Sequence, residues 1–175
     1  MSKLNAKELR KSTPDEKDIK KIKRNPIYFV LDEIIDTYNI GSMFRLADAI
    51  SVEKMYLCGK MEYPPSSRIH KAAVGTENWV PWEKTESTLE TVKKLKEDGV
   101  YIIVVEQNEY SISYKDLNPK FPCVVVVGNE SYGLDEKIVN EADVIVELPM
   151  HGINKSFNVW GTAAVVGYKV LESLE

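Results

Sequence analysis

Two cysteines, two histidines and no surplus of positive charge are all that 175 residues offer of the groups that most readily announce a disulfide frame, a metal or a nucleic-acid coat. Cys58 and Cys123 each stand at the end of an apolar run, which points to reduced core residues rather than a cross-link. His70 and His151 are equally scattered, so no metal-ligand spacing is present. The longest uncharged stretch, Ser156 to Tyr168, falls about five residues short of a membrane span. The N-terminus is polar instead of carrying an apolar export core. A cytoplasmic protein with no membrane contact is therefore expected. Internal repeats and low-complexity segments are also missing.

What is present is ordinary globular material. Hydrophobic residues make up 43% and charged residues 29%, which argues against general disorder. A chain of this length suits one domain burying roughly 70% of its unfolded surface. The net charge of -4 argues against bulk-charge coating of a polyanion. That average hides a split. Residues 1–24 carry nine basic and four acidic side chains, so they are +5 and the rest of the chain is -9. Such an arm either reaches for a polyanion or is a solvated terminus. The expected organisation is a basic N-terminal extension over 1–24 and a folded domain over 25–175.

Periodicity places strands at Ile27–Leu31, Lys54–Cys58, Tyr101–Val105, Cys123–Val127 and Val144–Leu148, with a brief one at Trp79–Trp82. CVVVV is apolar throughout, as a central strand covered on both faces must be. Helical spacing runs over Asn39–Ile50, Ser67–Val74, Thr85–Asp98 and Phe157–Leu174, with one or two turns at Leu134–Asn140. Gln107–Ser113 reads as a polar loop. Strands alternating with helices predict an α/β fold, a mostly parallel sheet flanked by helices.

In such a sheet ligands lie beyond the carboxyl ends of the central strands. Three loops there are rich in Gly, Asn, Ser and charge: YNIGSMFRLADA (Tyr38–Ala49), VGNESYGL (Val127–Leu134) and LPMHGINKSFNV (Leu148–Val159). No GxGxxG follows the first strand. Gly128 and Gly133 have P-loop spacing, but Leu134 and Asp135 stand where Lys and Ser/Thr are required. No Ser-His-Asp arrangement is legible. Taken singly, Leu148, Met150 and Phe157 read as core, Gly128 and Gly133 as tight-loop backbone, and Asn39 and Ser156 as helix N-caps.

Taken together, the three loops resemble the motifs of the TrmH (SpoU) branch of the SPOUT RNA methyltransferases. Asn39 and Arg45 match its Asn-to-Arg motif. Gly128, Glu130 and Gly133 match Gly-x-Glu-x-x-Gly-Leu, and Pro149, Met150, Gly152, Ser156, Asn158 and Val159 match the last motif. The resemblance spans about residues 25 to 175. It implies the SPOUT (α/β-knot) fold with a C-terminal trefoil knot, a homodimer, S-adenosyl-L-methionine as cofactor, and methyl transfer to a ribose 2′-hydroxyl in RNA. The acceptor expected is tRNA, with an rRNA 2′-O-methyltransferase as the alternative.

By the same resemblance Val105, Glu106, Gly128, Leu148, Met150, Phe157 and Asn158 line the cofactor pocket. Arg45 is the central catalytic residue, and Asn39, Glu130, Ser156 and Asn158 hold it and the substrate in place. A guanidinium with a pKa above about 12 suits clamping a phosphate better than removing a proton. Trp160 stands where the family usually has a small Ser, and Phe157 where it more often has Leu. Those departures keep open a catalytically weak RNA-binding relative of the same fold. A small-molecule nucleotide enzyme is the other alternative. No separate RNA-binding domain is expected, so the arm together with Arg68, Lys71 and Lys155 would attract the RNA.

Overall fold

A computed structural model describes residues 5–174 apart from 10 and 12. Two short helices, α1 (Ala6–Leu9) and α2 (Glu16–Ile19), precede the sheet. Then β1 (Asn25–Asp32), α3 (Thr37–Ala49), β2 (Val52–Cys58), α4 (Ser67–Ala73), β3 (Trp82–Thr85) and α5 (Thr88–Glu97) follow in order. The second half holds β4 (Tyr101–Val105), β5 (Ile112–Ser113), β6 (Cys123–Val127), α6 (Glu136–Val139), β7 (Val144–Glu147) and α7 (Val159–Glu172). The strands form one parallel sheet in the order β3-β2-β1-β6-β4-β7-β5. The expected α/β fold with a parallel, helix-flanked sheet is what forms.

β6 is buried at every position, because alternate side chains enter two different cores. Cys123, Val125 and Val127 join Phe29, Phe44, Met55 and Val166 beneath α3, α4 and α7. Val124 and Val126 join Val30, Val92, Leu95 and Ile102 beneath α5 and α6. Each face of the sheet thus has its own apolar layer. Both cysteines are buried and unpaired, as expected. Burial alone pushes the Cys123 thiol up to about 12, so it is no thiolate at neutral pH.

Three expectations shift. The third strand begins at Trp82, not Trp79. Trp79 closes a 3-10 turn over Thr76–Asn78, held by its indole Nε1–H donating to Asp48 Oδ1 at 2.6 Å. Thr85 belongs to β3, so α5 starts three residues later, where Ser87 accepts from the Glu90 amide. The polar loop after β4 contains a two-residue strand pairing Ile112 with Val146.

The described part of the basic segment lies on the body. Leu9, Ile19 and Ile22 pack against the larger core, and the Arg24 guanidinium donates to the carbonyls of Trp79 (2.9 Å) and Val52 (3.3 Å). Its lysines at 7, 11, 17, 20, 21 and 23 remain exposed, while Lys3 and Arg10 lie outside the described residues. No helix among the described residues is long and apolar enough to cross a membrane.

Candidate active site

The carboxyl ends of β6, β4 and β7 stand side by side, with Val105 registered against Val127 and Val146. The chain leaves all three strands in non-repeating loops, and between them opens a cleft of about 650 Å³. Its walls come from Val105 to Gln107, Gly128 to Leu134, Glu147, Leu148 and Met150, and Ser156 to Val159. The second and third motif loops therefore meet in one place, although Leu134 and Leu148 are 14 positions apart and Val127 lies 22 positions beyond Val105.

One carboxylate knits these loops to α3. Glu130 Oε2 accepts the Ile35 amide at 2.9 Å. Its Oε1 accepts the Asp36 amide at 3.1 Å and the Asn39 side-chain amide at 2.8 Å. Asn39 Oδ1 in turn accepts from Asn158 Nδ2 at 3.1 Å. Asn158 Oδ1 accepts the Trp160 amide at 3.0 Å and so caps α7. A relay Glu130–Asn39–Asn158 thus joins three segments spread over 119 residues. Burial by itself pushes the Glu130 carboxyl up. The donors from Ile35, Asn39 and Asp36 more than offset that and hold it below the ordinary carboxylate value.

Close backbone approach explains both glycines of the second loop. A Cβ on Gly128 would stand 2.6 Å from the Gly133 carbonyl carbon and 2.7 Å from Leu134 Cγ. Gly133 has φ +67°, and a Cβ there would meet Glu106 Oε2 at 2.5 Å. That same oxygen accepts the Leu134 amide at 3.2 Å, while Glu106 Oε1 accepts the Gln107 amide at 3.0 Å. Backbone and small residues thus line this wall, leaving room for a flat ligand and polar groups to grip it.

All the residues expected in the cofactor pocket line this cleft: Val105, Glu106, Gly128, Leu148, Met150, Phe157 and Asn158. Glu130 and Ser156 line it as well. Phe157 is 57% exposed and Leu148 partly buried, so plain core packing does not describe this wall. Asn39 is buried behind it, reached through Glu130 and Asn158. The helix caps fall to Asp36 and Asn158 rather than to Asn39 and Ser156.

Arg45 stands apart. It is exposed midway along α3, outside the cleft lining, and makes no hydrogen bond or ion pair with a described residue. Six residues beyond Asn39, it points roughly 120° away around the helix. The relay residues bind one another, not Arg45. Trp160 is likewise outside the lining, 40% exposed in the first turn of α7.

Asn129 was not singled out by its motif, yet it orders the second loop. Its Oδ1 accepts the amides of Ser131 and Tyr132, and its Nδ2 donates to the Glu33 carbonyl at 2.8 Å. An Asn followed by polar residues after a strand is the signal that would have found it. His70 pairs through Nδ1 with Glu77 at 2.5 Å in a separate hollow beside Trp82. No sequence periodicity announces that pair.

The sequence pattern of the SpoU rRNA Methylase family matches residues 26–168. The TrmH-family tRNA/rRNA methyltransferase relative YacO of Bacillus subtilis (strain 168) is 24% identical over 145 residues, which are 83% of this chain and 58% of that protein. The chain thus spans little more than half the length of such a relative. An AdoMet-bound rRNA methyltransferase from Sinorhizobium meliloti superposes with a TM-score of 0.80 at 22% identity, covering 95% of this chain and 60% of that one. A structure described by 2-OH methylation of C/U34 on tRNA gives 0.76 at 20% identity, over 86% of this chain and 98% of that one. At these identities the likeness is one of fold.

Proposed function

Since the chain belongs to the SpoU rRNA methylase family, we propose that its cleft holds S-adenosyl-L-methionine and that it methylates a ribose 2′-hydroxyl in RNA, tRNA rather than rRNA. The observation that carries this reading is the glycine-walled cleft at the carboxyl ends of β4, β6 and β7, braced from behind by the Glu130–Asn39–Asn158 relay. Gly128 and Gly133 leave backbone where a side chain would fill the cradle, which fits a nucleoside face. Leu148, Met150 and Phe157 offer apolar contact, and Val105 and Glu106 close the end of the site. A bound cofactor would supply an electrophilic methyl on a sulfonium sulfur for transfer to the hydroxyl oxygen, with the hydroxyl proton passing to solvent.

Arg45 is the residue proposed to orient the acceptor, by gripping a phosphate of the RNA. Its exposure suits a group that waits for a polyanion or a second subunit. Ser156, in the cleft lining, is proposed to touch the substrate. The knotted topology and the homodimer of the family are proposed for this chain too. Exposed Tyr38, Trp160 and Tyr168, on two helices that pack together, favour the dimer.

Labelled methyl transfer to total RNA, followed by nucleoside analysis, tests the whole reading. A 2′-O-methylated nucleoside from tRNA is the expected product. Base methylation would overturn the reaction type, and turnover without RNA would favour a small-molecule enzyme.

A further inference from the structure

A second hollow lies apart from the cofactor cleft and shares no lining residue with it. It measures about 720 Å³, within the range of small-ligand sites, and is walled by Pro64 to Ser67, His70, Glu77, Asn78 and Trp82. The proposed methyl transfer makes no use of it.

One wall residue is an acid that the fold leaves half satisfied. The Glu77 side chain is 7% exposed. Its Oε1 accepts from His70 Nδ1 at 2.5 Å, while Oε2 is buried and bonds no described residue. A buried acceptor without a donor is costly, more so when charged, so Oε2 marks where a donor is wanted. Asn78 donates its Nδ2 to the Gly75 carbonyl at 3.0 Å, which leaves Oδ1 as a second acceptor.

Flat apolar surface shares the lining with these acceptors. Trp82 is half-buried, its ring at 86° to that of Phe44 with centroids 6.2 Å apart, and the rings of Pro64 and Pro65 are also in the wall. Packing on Phe44 fixes the indole before a ligand arrives, so little freedom is lost on binding. Oε2 lies beneath the lining, and a ligand reaches it once the imidazole, 38% exposed, shifts at the surface.

An aromatic face beside a carboxylate suits a flat ligand with donors along one edge. Among the bases of RNA, guanine alone sets two donors side by side, N1–H and the N2 amino group. Adenine and cytosine place an acceptor beside their amino group, and uracil flanks its one N–H with carbonyls. Each of those would turn a lone pair on the carboxylate, which only accepts. Arg68 and Lys71, exposed on α4 and next in sequence to the lining residues Ser67 and His70, add positive charge that suits an RNA chain and disfavours a cationic ligand. Glu62, held by the Ser66 hydroxyl, offsets one of them.

We propose that the hollow beside Trp82 reads one unpaired guanine of the RNA, stacked on the indole with its N1–H and N2 amino group donated to Glu77. The proposal rests on the RNA reading above and gives it a base preference outside the cofactor cleft.

The probe is a fluorescein-labelled oligouridylate carrying one internal guanine, inosine, adenine or cytosine, followed by anisotropy with S-adenosylhomocysteine present to fill the cleft. Wild type should bind the guanine strand about 5- to 150-fold more tightly than the adenine or cytosine strand, the scale of one two-pronged base contact. Inosine, which lacks only the N2 amino group, should fall between. Glu77→Gln should level the four affinities while cofactor affinity by calorimetry stays at the wild-type value. Ser67→Phe, at an exposed lining position, fills the hollow without entering the core and should level them too. Equal binding of all four strands by wild type, in a protein that methylates RNA, overturns the pocket alone. So does inosine bound as tightly as guanine, or a guanine preference that survives in either variant. A wild-type protein that neither binds nor methylates RNA overturns the functional reading and the pocket with it.

Discussion

Glu130 serves two segments with one charge. It accepts the amides that lead into α3 and the side chain of Asn39, and its negative charge sits where the helix dipole favours an anion. Replacing it with alanine leaves the buried Asn39 amide without its acceptor and should cost about 0.5–1.5 kcal/mol of stability, measured by urea unfolding at neutral pH. The pH dependence has a definite sign. The folded carboxyl lies below its ordinary 4.5, so its stabilisation is complete above that value and is lost as pH falls through the folded one. The stability gap between wild type and Glu130→Gln should therefore narrow on acidification below about pH 4.5; a gap constant from pH 7 to pH 3 would show that the ionised form is not what matters. Arg45, exposed and without a bond to any described residue, predicts the opposite profile. Arg45→Ala should leave stability and cofactor affinity alone while methyl transfer falls by about a hundredfold or more, the scale set by losing a positioning clamp. Arg45→Lys should rescue only in part, since an ammonium cannot form the two-pronged grip. Unchanged turnover in the alanine variant would remove Arg45 from the reaction.

Asn158 works at the scale of elements, because α7 begins with it and α3 is tied through it. Asn158→Ala removes an N-cap worth about 0.5–2 kcal/mol and also the bond to Asn39. The expected result is a lower melting temperature together with weaker cofactor binding. Asn158→Ser keeps a cap but is too short for Asn39, so it should recover stability without recovering affinity; full recovery of both would reduce Asn158 to a cap. The same elements show how far the chain could be read in advance. β4 and β6 have the predicted boundaries, because unbroken apolar runs bounded by polar residues leave no choice of ends. β3 was misplaced since Trp79 and Trp82 look equally strand-like, and only the distant Asp48 holds the former in a turn. β5, two residues long, has no period to detect. That the motif residues share one cleft wall was legible only through a family resemblance. The relay was not: bonds from Asn39 to positions 130 and 158 depend on the fold, and nothing local in the sequence prefigures them.

For the whole molecule, shape and charge set the partners. The proposed dimer would cover the exposed aromatics of α3 and α7, and a stable pair needs about 800 Å² from each subunit. Trp160→Glu should leave a folded monomer in sedimentation and lower methyl transfer; a dimer that survives it would place the interface elsewhere. The basic segment poses the complementary question, since on the proposed reading an acidic body would attract RNA through local cations. Leu9, Ile19 and Ile22 anchor that segment to the core, so its deletion would confound binding with folding. Neutralising its surface is the cleaner experiment. Lys17, Lys20, Lys21 and Lys23 are exposed, and the ion pairs of Lys20 with Glu16 and Lys21 with Asp18 lie at the surface, where such pairs contribute little. Changing all four to glutamine should leave the melting temperature near that of wild type. If these lysines meet phosphates, the slope of log affinity against log salt should flatten by about 3, from roughly 0.7–0.9 per contact. An unaltered slope in the glutamine variant would move the RNA path off the segment altogether.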